Sequence, residues 1–210
     1  MTYLRIYFLI YCCLIFPFFY LNLPIHFLFI DSILAYVPIE LFFLYQKNSK
    51  HNSALIVAFF YLIFLPNNLY LMTDLIHLNR INFYPLTSGI MTEKSIVWVM
   101  FTLLVIGILS LLMIGFKTEF VMLDKLRNTY QWSSIWVFIW YFLGFIVLST
   151  GVFLGRFLRL NSIDLITEPS KIINTLGGLF SVKALIFIIL FSIIQAVAYG
   201  TFKLSQALFK

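Results

Sequence analysis

Hydrophobic residues form long, almost unbroken runs along this chain, and short polar stretches separate them. A membrane-spanning helix needs about 20 predominantly apolar residues. The pattern predicts an all-α, polytopic integral membrane protein in which residues 1–210 form a single membrane domain. The six predicted spans, with approximate ends, are Tyr3–Leu23, His26–Tyr45, Ala54–Met72, Ser95–Phe116, Ile135–Leu154 and Phe180–Phe202.

The composition agrees with a lipid environment. Of the 210 residues, 62% are hydrophobic and 10% are charged, whereas a soluble domain averages about 45–50% apolar and about 25% charged residues. The first run follows Arg5 as in a signal peptide, but it lacks a small-residue cleavage site and is too long for one. We therefore expect it to be a retained helix.

The net charge of +6 does not indicate nucleic acid, because the basic residues are scattered and form no stripe. Lys and Arg favour cytoplasmic loops, and their distribution predicts that both termini are cytoplasmic. The adjacent Cys12 and Cys13 make a poor disulfide. No Cys/His metal spacing is present, so we expect no metal or cofactor.

The first unusual polar cluster is FLPNNLYLMTDLIHL, residues 64–78, where the third run ends. On a helix of about 100° per residue, Asn67, Tyr70, Asp74 and His77 share one stripe roughly 80° wide. Asp74 and His77 are three residues apart and can meet on one helix face. A carboxylate beside an imidazole is typical of a general acid/base pair.

Pro66 belongs to the same segment. A proline inside a helix frees a backbone carbonyl, here that of Leu62, and we expect Asn67 or Asn68 to satisfy it. A broken helix beside a polar stripe is typical of a cavity wall. The alternative is an ordinary helix end, where polar residues leave the bilayer and an aromatic residue anchors at the interface.

The second cluster is GVFLGRFLRLNSID, residues 151–164. Gly151 and Gly155 form a G-x-x-x-G step, which lets another helix approach closely. Arg156 and Arg159 are three residues apart and can project to one side, where two guanidinium groups suit a phosphate or carboxylate. The alternatives are arginines that snorkel to lipid phosphates or pair with an acidic residue for structure.

Three other acidic residues lie in or next to apolar runs. Asp31 is close to the membrane face that carries both clusters, and a charge at that depth is costly unless it is paired or hydrated. We therefore expect it to point into the same cavity. Glu40 approaches the opposite face and is expected to meet Lys47 or Lys50. Glu119 is interpreted as part of a solvated loop.

The two clusters, together with FIDSILAYVPIEL in the second run, resemble a family of small bacterial membrane proteins catalogued as a domain of unknown function. The resemblance runs from the second span to the sixth, with the signature FxPNxxYxxTDxxHL plus GRxxRxNSxD. It implies a six-span bacterial inner-membrane protein. Ile163 stands where that family often has Trp. The implied motif positions here are Asn67, Tyr70, Thr73, Asp74, His77, Gly155, Arg156, Arg159, Asn161, Ser162 and Asp164.

Three functions remain open. The first is an extracytoplasmic site that binds or processes an anionic, lipid-linked substrate. Asp74 and His77 would act as acid and base, and the substrate would be bound by Asn67, Tyr70, Thr73, Arg156, Arg159, Asn161 and Asp164. The second is a small transporter component with a path of titratable groups, although no internal repeat supports it. The third is an envelope scaffold in which an Asp74–Arg156 pair clamps two spans.

No P-loop, G-x-S-x-G or HExxH motif assigns an enzyme class. Membrane lipids are the expected partners. The sequence does not indicate an oligomeric state.

Overall fold

The computed structural model describes residues 1–47, 51–84, 90–160, 167–168, 170 and 175–208. Two 3-10 helices occur in this part of the chain. One, Leu71–Arg80, directly continues the third α-helix, and the other, Leu176–Phe180, precedes the sixth. The α-helices are α1 Thr2–Tyr20, α2 Phe27–Lys47, α3 His51–Tyr70, α4 Ser95–Tyr130, α5 Ser134–Phe157 and α6 Val182–Leu208.

All six α-helices are long and apolar enough to cross a membrane. The prediction of an all-helical, six-span protein is therefore confirmed, and the described residues contain no strand. The chain is a multi-pass membrane protein.

Helix α4 is much longer than its predicted span, which ended at Phe116. It has 36 residues, or about 54 Å at about 1.5 Å per residue, and the hydrocarbon core is about 30 Å thick. One end of α4 therefore extends beyond the core. The extension forms because residues 117–130 contain no proline or glycine and bury Phe120 and Met122. It stops at Gln131, whose backbone is left-handed with φ 51°.

Two predictions about acidic side chains are wrong. Glu119 does not lie in a solvated loop, because it is buried in α4 near the Tyr61 hydroxyl. Glu40 forms an ion pair with Arg5 and accepts a hydrogen bond from the Tyr36 hydroxyl at 3.1 Å. The Arg5–Glu40 pair joins α1 to α2. The expected partners, Lys47 and Lys50, are close to Glu40 along the chain, whereas Arg5 comes from another helix. Lys50 lies outside the described residues.

Buried polar contacts and small residues hold the bundle together. The Asn68 amide of α3 donates to the carbonyl oxygens of Leu111 in α4 at 2.9 Å and Ala35 in α2 at 3.4 Å. Gly115 of α4 lies against this amide, and any side chain there would collide with it. Asn68 therefore joins three helices at one point. On the other side, α5 packs between α3 and α6.

The end of α3 differs from the prediction. Pro66 does not break the helix, which continues to Tyr70 and then tightens into the 3-10 helix. The Asn67 amide donates to the carbonyl of Phe64 at 3.1 Å. In a 3-10 helix, residues three apart lie in line along the axis. The segment after Tyr70 therefore presents straight rows of side chains to α5.

We expect Asn68→Ala to destabilise the bundle, because it removes two interhelical hydrogen bonds and leaves a gap beside Gly115. The expected loss is about 1–2 kcal/mol of unfolding free energy, measured by denaturant unfolding in detergent. The matched control is Thr201→Ala, because the exposed Thr201 hydroxyl donates to carbonyls of its own helix. Equal stability of the two variants would contradict the role of Asn68.

Candidate functional site

The candidate site lies at the end of the bundle where α2 begins and α3 and α5 end. The 3-10 helix that follows α3 faces the last turn of α5 there. We use the term polar cluster for the side chains that meet at this end: Asp31, Tyr70, Thr73, Asp74, His77 and Arg156.

Arg156 is the centre of the polar cluster. Its Nη2 lies 2.6 Å from Asp74 Oδ1, its Nε donates to Thr73 Oγ1 at 2.8 Å, and its Nη1 lies 3.3 Å from His77 Nε2. The guanidinium carbon lies 4.4 Å from the centre of the Tyr70 ring. All three guanidinium nitrogens are therefore engaged inside the protein, in a cation–π and hydrogen-bonded setting.

The 3-10 helix explains why one arginine reaches all of these groups. Tyr70 and Thr73 are three residues apart and fall in one row, and Asp74 and His77 fall in the adjacent row. Both rows face Arg156. Of the stripe predicted from the sequence, Tyr70, Asp74 and His77 contact Arg156, whereas Asn67 lines the cleft.

Asp74 is the most deeply buried member of the polar cluster, with a side chain that is 0% exposed. Its Oδ1 binds Arg156, and the Asp31 carboxyl is a further hydrogen-bond partner. Asp31 lies close enough to interact with both Asp74 and Arg156. Two carboxyl groups thus lie beside one guanidinium, and the side-chain hydrogen bond between Asp31 and Asp74 needs a proton on one of them.

His77 contacts Arg156 and not Asp74 in the part of the chain that the structure describes. Since an arginine only donates hydrogen bonds, Nε2 of His77 accepts and Nδ1 carries the proton. The imidazole also lies 4.3 Å from the Phe27 ring, centre to centre. The sequence-based expectation that Asp74 and His77 pair directly is therefore not met, because Arg156 binds each of them.

A cleft of about 410 Å³ opens beside the polar cluster, between α2, α3 and α5. Asp31, Asn67 and Tyr70 line its outer end, and Leu62 and Val147 line its inner part. From Tyr70 to Leu62 the cleft extends about 12 Å along α3. Asp31 is the only charged residue among the described residues that line it. The cleft is thus polar at one end and apolar along its length.

The G-x-x-x-G step of α5 forms one wall of this cleft. A side-chain carbon added at Gly151 would lie 2.6 Å from Pro66 Cγ, and one added at Gly155 would lie 3.3 Å from the Tyr70 ring. The first distance is too short for any real contact, and the second is tight. The two glycines therefore let α5 approach α3 closely, which brings Arg156 to its partners.

Arg159 does not join Arg156. Helix α5 ends at Phe157, and Arg159 lies beyond it with φ 53° and an exposed side chain. The prediction that Arg156 and Arg159 project from one helix face is therefore wrong, because Arg159 is not in the helix. Asn161, Ser162 and Asp164 lie outside the described residues.

Two members of this region were not singled out from the sequence. Thr150 lines the cleft, and its hydroxyl donates to the Ile146 carbonyl at 2.8 Å. Phe27 packs on His77. No sequence signal distinguishes Phe27 among the chain's 25 phenylalanines, and a threonine bonded to its own helix is common in membrane spans.

A family model described as "Protein of unknown function (DUF1361)" matches residues 30–198. The chain belongs to the DUF1361 family. The match extends from α2 into α6 and includes every described member of the polar cluster, and it confirms the resemblance to a family of unknown function. No curated protein and no solved structure matches the chain.

We expect Arg156→Ala to be strongly destabilising, because it leaves the buried Asp74 carboxylate without its cation. Breaking a buried ion pair from one side costs about 3–5 kcal/mol. The measurement is the unfolding free energy in detergent. In the double variant Arg156→Ala/Asp74→Asn, much of the lost stability should return, because the amide has no charge to compensate.

The control for this prediction is Arg159→Ala, which removes an exposed arginine three residues away. It should change stability by no more than about 0.5 kcal/mol. Similar losses for Arg156→Ala and Arg159→Ala would show that Arg156 does not serve as the internal cation.

Proposed function

We propose that this DUF1361 protein binds an amphipathic, lipid-linked molecule in the cleft between α2, α3 and α5. The observation that carries the proposal is the polarity of the cleft. Apolar side chains line the part that runs along the membrane spans, and polar groups lie at the membrane face. A molecule with an acyl or isoprenoid tail and a polar headgroup has the same polarity along its length, so its tail can enter from the bilayer.

We further propose that this face is extracytoplasmic and that the membrane is the bacterial inner membrane. The distribution of Lys and Arg supports this orientation, because placing both termini inside puts more basic residues on the cytoplasmic side. The loops that follow α1, α3 and α5 then lie outside. The bound molecule would belong to the outer leaflet.

The predicted roles of the site residues change in this proposal. Arg156 is engaged by Thr73, Asp74 and His77, so it positions the site and does not receive a ligand. Arg159 is exposed and directly precedes Leu160, which lines the cleft. We therefore assign the anionic part of the headgroup to Arg159.

The remaining residues fall into two groups. Asn67 and Tyr70 line the cleft and would contact the ligand. Asp74 and His77, which the sequence predicts as acid and base, are both bound to Arg156 and would position the site. Asn161 and Asp164 stay predicted headgroup contacts on the loop after Arg159.

A second candidate function is a non-catalytic scaffold. The contacts of Arg156 with Thr73, Asp74 and His77 favour this function, because they join the end of α5 to the 3-10 helix without any ligand. In that account the cleft is only a gap between helices and binds ordinary lipid without preference. The two candidates differ in whether the cleft retains a defined molecule.

The test is native mass spectrometry of the protein purified from bacterial membranes in mild detergent. The wild type should retain a molecule of defined mass, and Ile146→Trp, which fills the cleft from α5, should lower the retained fraction at least tenfold. The control is Leu109→Trp, the same replacement at an exposed position of α4. It should leave retention unchanged.

Two results would contradict the proposal. One is a ligand-free spectrum of the wild type. The other is equal retention by the wild type and Ile146→Trp, which would place any bound lipid elsewhere and favour the scaffold.

A further inference from the structure

We infer that Asp31 and Asp74 together form a site that binds one proton, and that the cleft retains its lipid-linked molecule only while this proton is present. The proton enters and leaves through the cleft, because Asp31 lines the cleft and the Asp74 side chain is fully buried. The second half of the inference rests on the proposed function, since it concerns the molecule that the cleft holds. The proton site itself does not depend on that molecule.

The first support is the contact between the two carboxyl groups. Asp31 and Asp74 are joined by a side-chain hydrogen bond. An ionised carboxylate only accepts hydrogen bonds, so this contact exists only while the pair holds a proton. Two carboxyl groups in such contact titrate as one unit, because the repulsion between two carboxylates opposes the ionisation of both. The proton therefore belongs to the pair.

The second support is the balance of charge around the pair. Arg156 binds Asp74 Oδ1 at 2.6 Å and also interacts with Asp31. With one proton, the two carboxyl groups and the guanidinium are together neutral. Without the proton they carry a net negative charge inside the membrane protein, where an uncompensated charge is costly. The surroundings thus favour the singly protonated pair.

Other titratable or charged side chains lie near the pair. Those that face the pair or its partners from the neighbouring elements are Tyr11 of α1, His26 before α2, Tyr70 of α3, His77 and Arg80 of the 3-10 helix, and Arg156 of α5. The His77 ring accepts a hydrogen bond from Arg156 and is neutral. His26 interacts with Asp31, so its titration is the competing explanation of any pH dependence.

Loss of the proton should release the bound molecule for two reasons. Asp31, at the polar end of the cleft, becomes part of a negatively charged pair that repels the anionic headgroup of the proposed ligand. In addition, two carboxylates then compete for Arg156, whose contacts with Thr73 and Asp74 hold α5 against the 3-10 helix. Retention is therefore full on the acidic side of this proton loss and falls as rising pH removes the proton.

The proton is measured directly by infrared spectroscopy of the full-length protein in detergent, carrying isotope-labelled aspartate. A protonated carboxyl group has a carbonyl band that a carboxylate lacks, and the label separates aspartate from Glu119. The wild type should show this band and lose it as the pH is raised. Asp31→Asn and Asp74→Asn should each lack it, because each leaves one carboxylate beside one guanidinium. The control Asp124→Asn should keep it, since Asp124 forms an ion pair with Lys203 at 3.0 Å.

The coupling is measured by native mass spectrometry of the same proteins prepared over a series of pH values. In the wild type, the retained fraction should fall at least tenfold over the interval in which the infrared band disappears. Asp31→Asn should retain the molecule across that interval, because its amide donates to Asp74 and has no proton to lose. His26→Gln should behave as the wild type does, which would exclude His26 as the titrating group.

Three results would overturn the inference. The first is the absence of a protonated aspartate band in the wild type. The second is a band that survives in either asparagine variant, which would assign the proton to a single carboxyl group. The third is retention that does not change as the band disappears, and it would leave the proposed function standing. A wild type that retains no molecule at any pH removes the proposed function and the coupling, while the infrared band still decides the proton site.

Discussion

The ion pair between Asp74 and Arg156 is the interaction on which the arrangement of this end of the protein depends. A carboxylate with no exposed surface, close to a bilayer, is costly unless a cation compensates it. That cation comes from α5, whereas the carboxylate follows α3. The pair therefore fixes the distance between these two helices, and the cleft is the space that they and α2 enclose.

Backbone features allow this pairing. The change from α-helix to 3-10 helix after Tyr70 aligns Thr73, Asp74 and His77 toward one guanidinium. Gly151 and Gly155 let α5 lie directly on Pro66 and Tyr70. A larger residue at Gly151 would push α5 away and draw Arg156 out of reach. The G-x-x-x-G step and the polar cluster are thus parts of one contact.

The sequence predicts the six spans well because each depends only on the local density of apolar residues. It also singles out Asp31, Asp74 and Arg156, which lie together in the structure, since a charge in an apolar segment needs a physical reason. It does not predict their pairing. Several acids and bases reach the same membrane face, and only the packing of α5 on α3 selects Asp74 for Arg156.

The other differences between the structure and the sequence-based expectations come from local backbone conformation. The end of α5 at Phe157 separates Arg159 from Arg156, and no proline or glycine follows closely enough to indicate that end. In α4, polar residues at 117–130 suggested a loop, but they alternate with apolar residues that continue the buried face. At residues 117–130 the fall in hydropathy therefore indicates where α4 leaves the membrane, and it does not indicate where the helix ends.

The most direct test of the account is the width of the cleft, measured by pulsed electron paramagnetic resonance. Spin labels would replace the exposed residues Leu62 on α3 and Val147 on α5, after substitution of Cys12 and Cys13. The account predicts one narrow distance distribution in the otherwise wild-type protein and a longer, broader one in Arg156→Gln. The same narrow distribution in both proteins would contradict the claim that the Asp74–Arg156 pair holds α5 against α3.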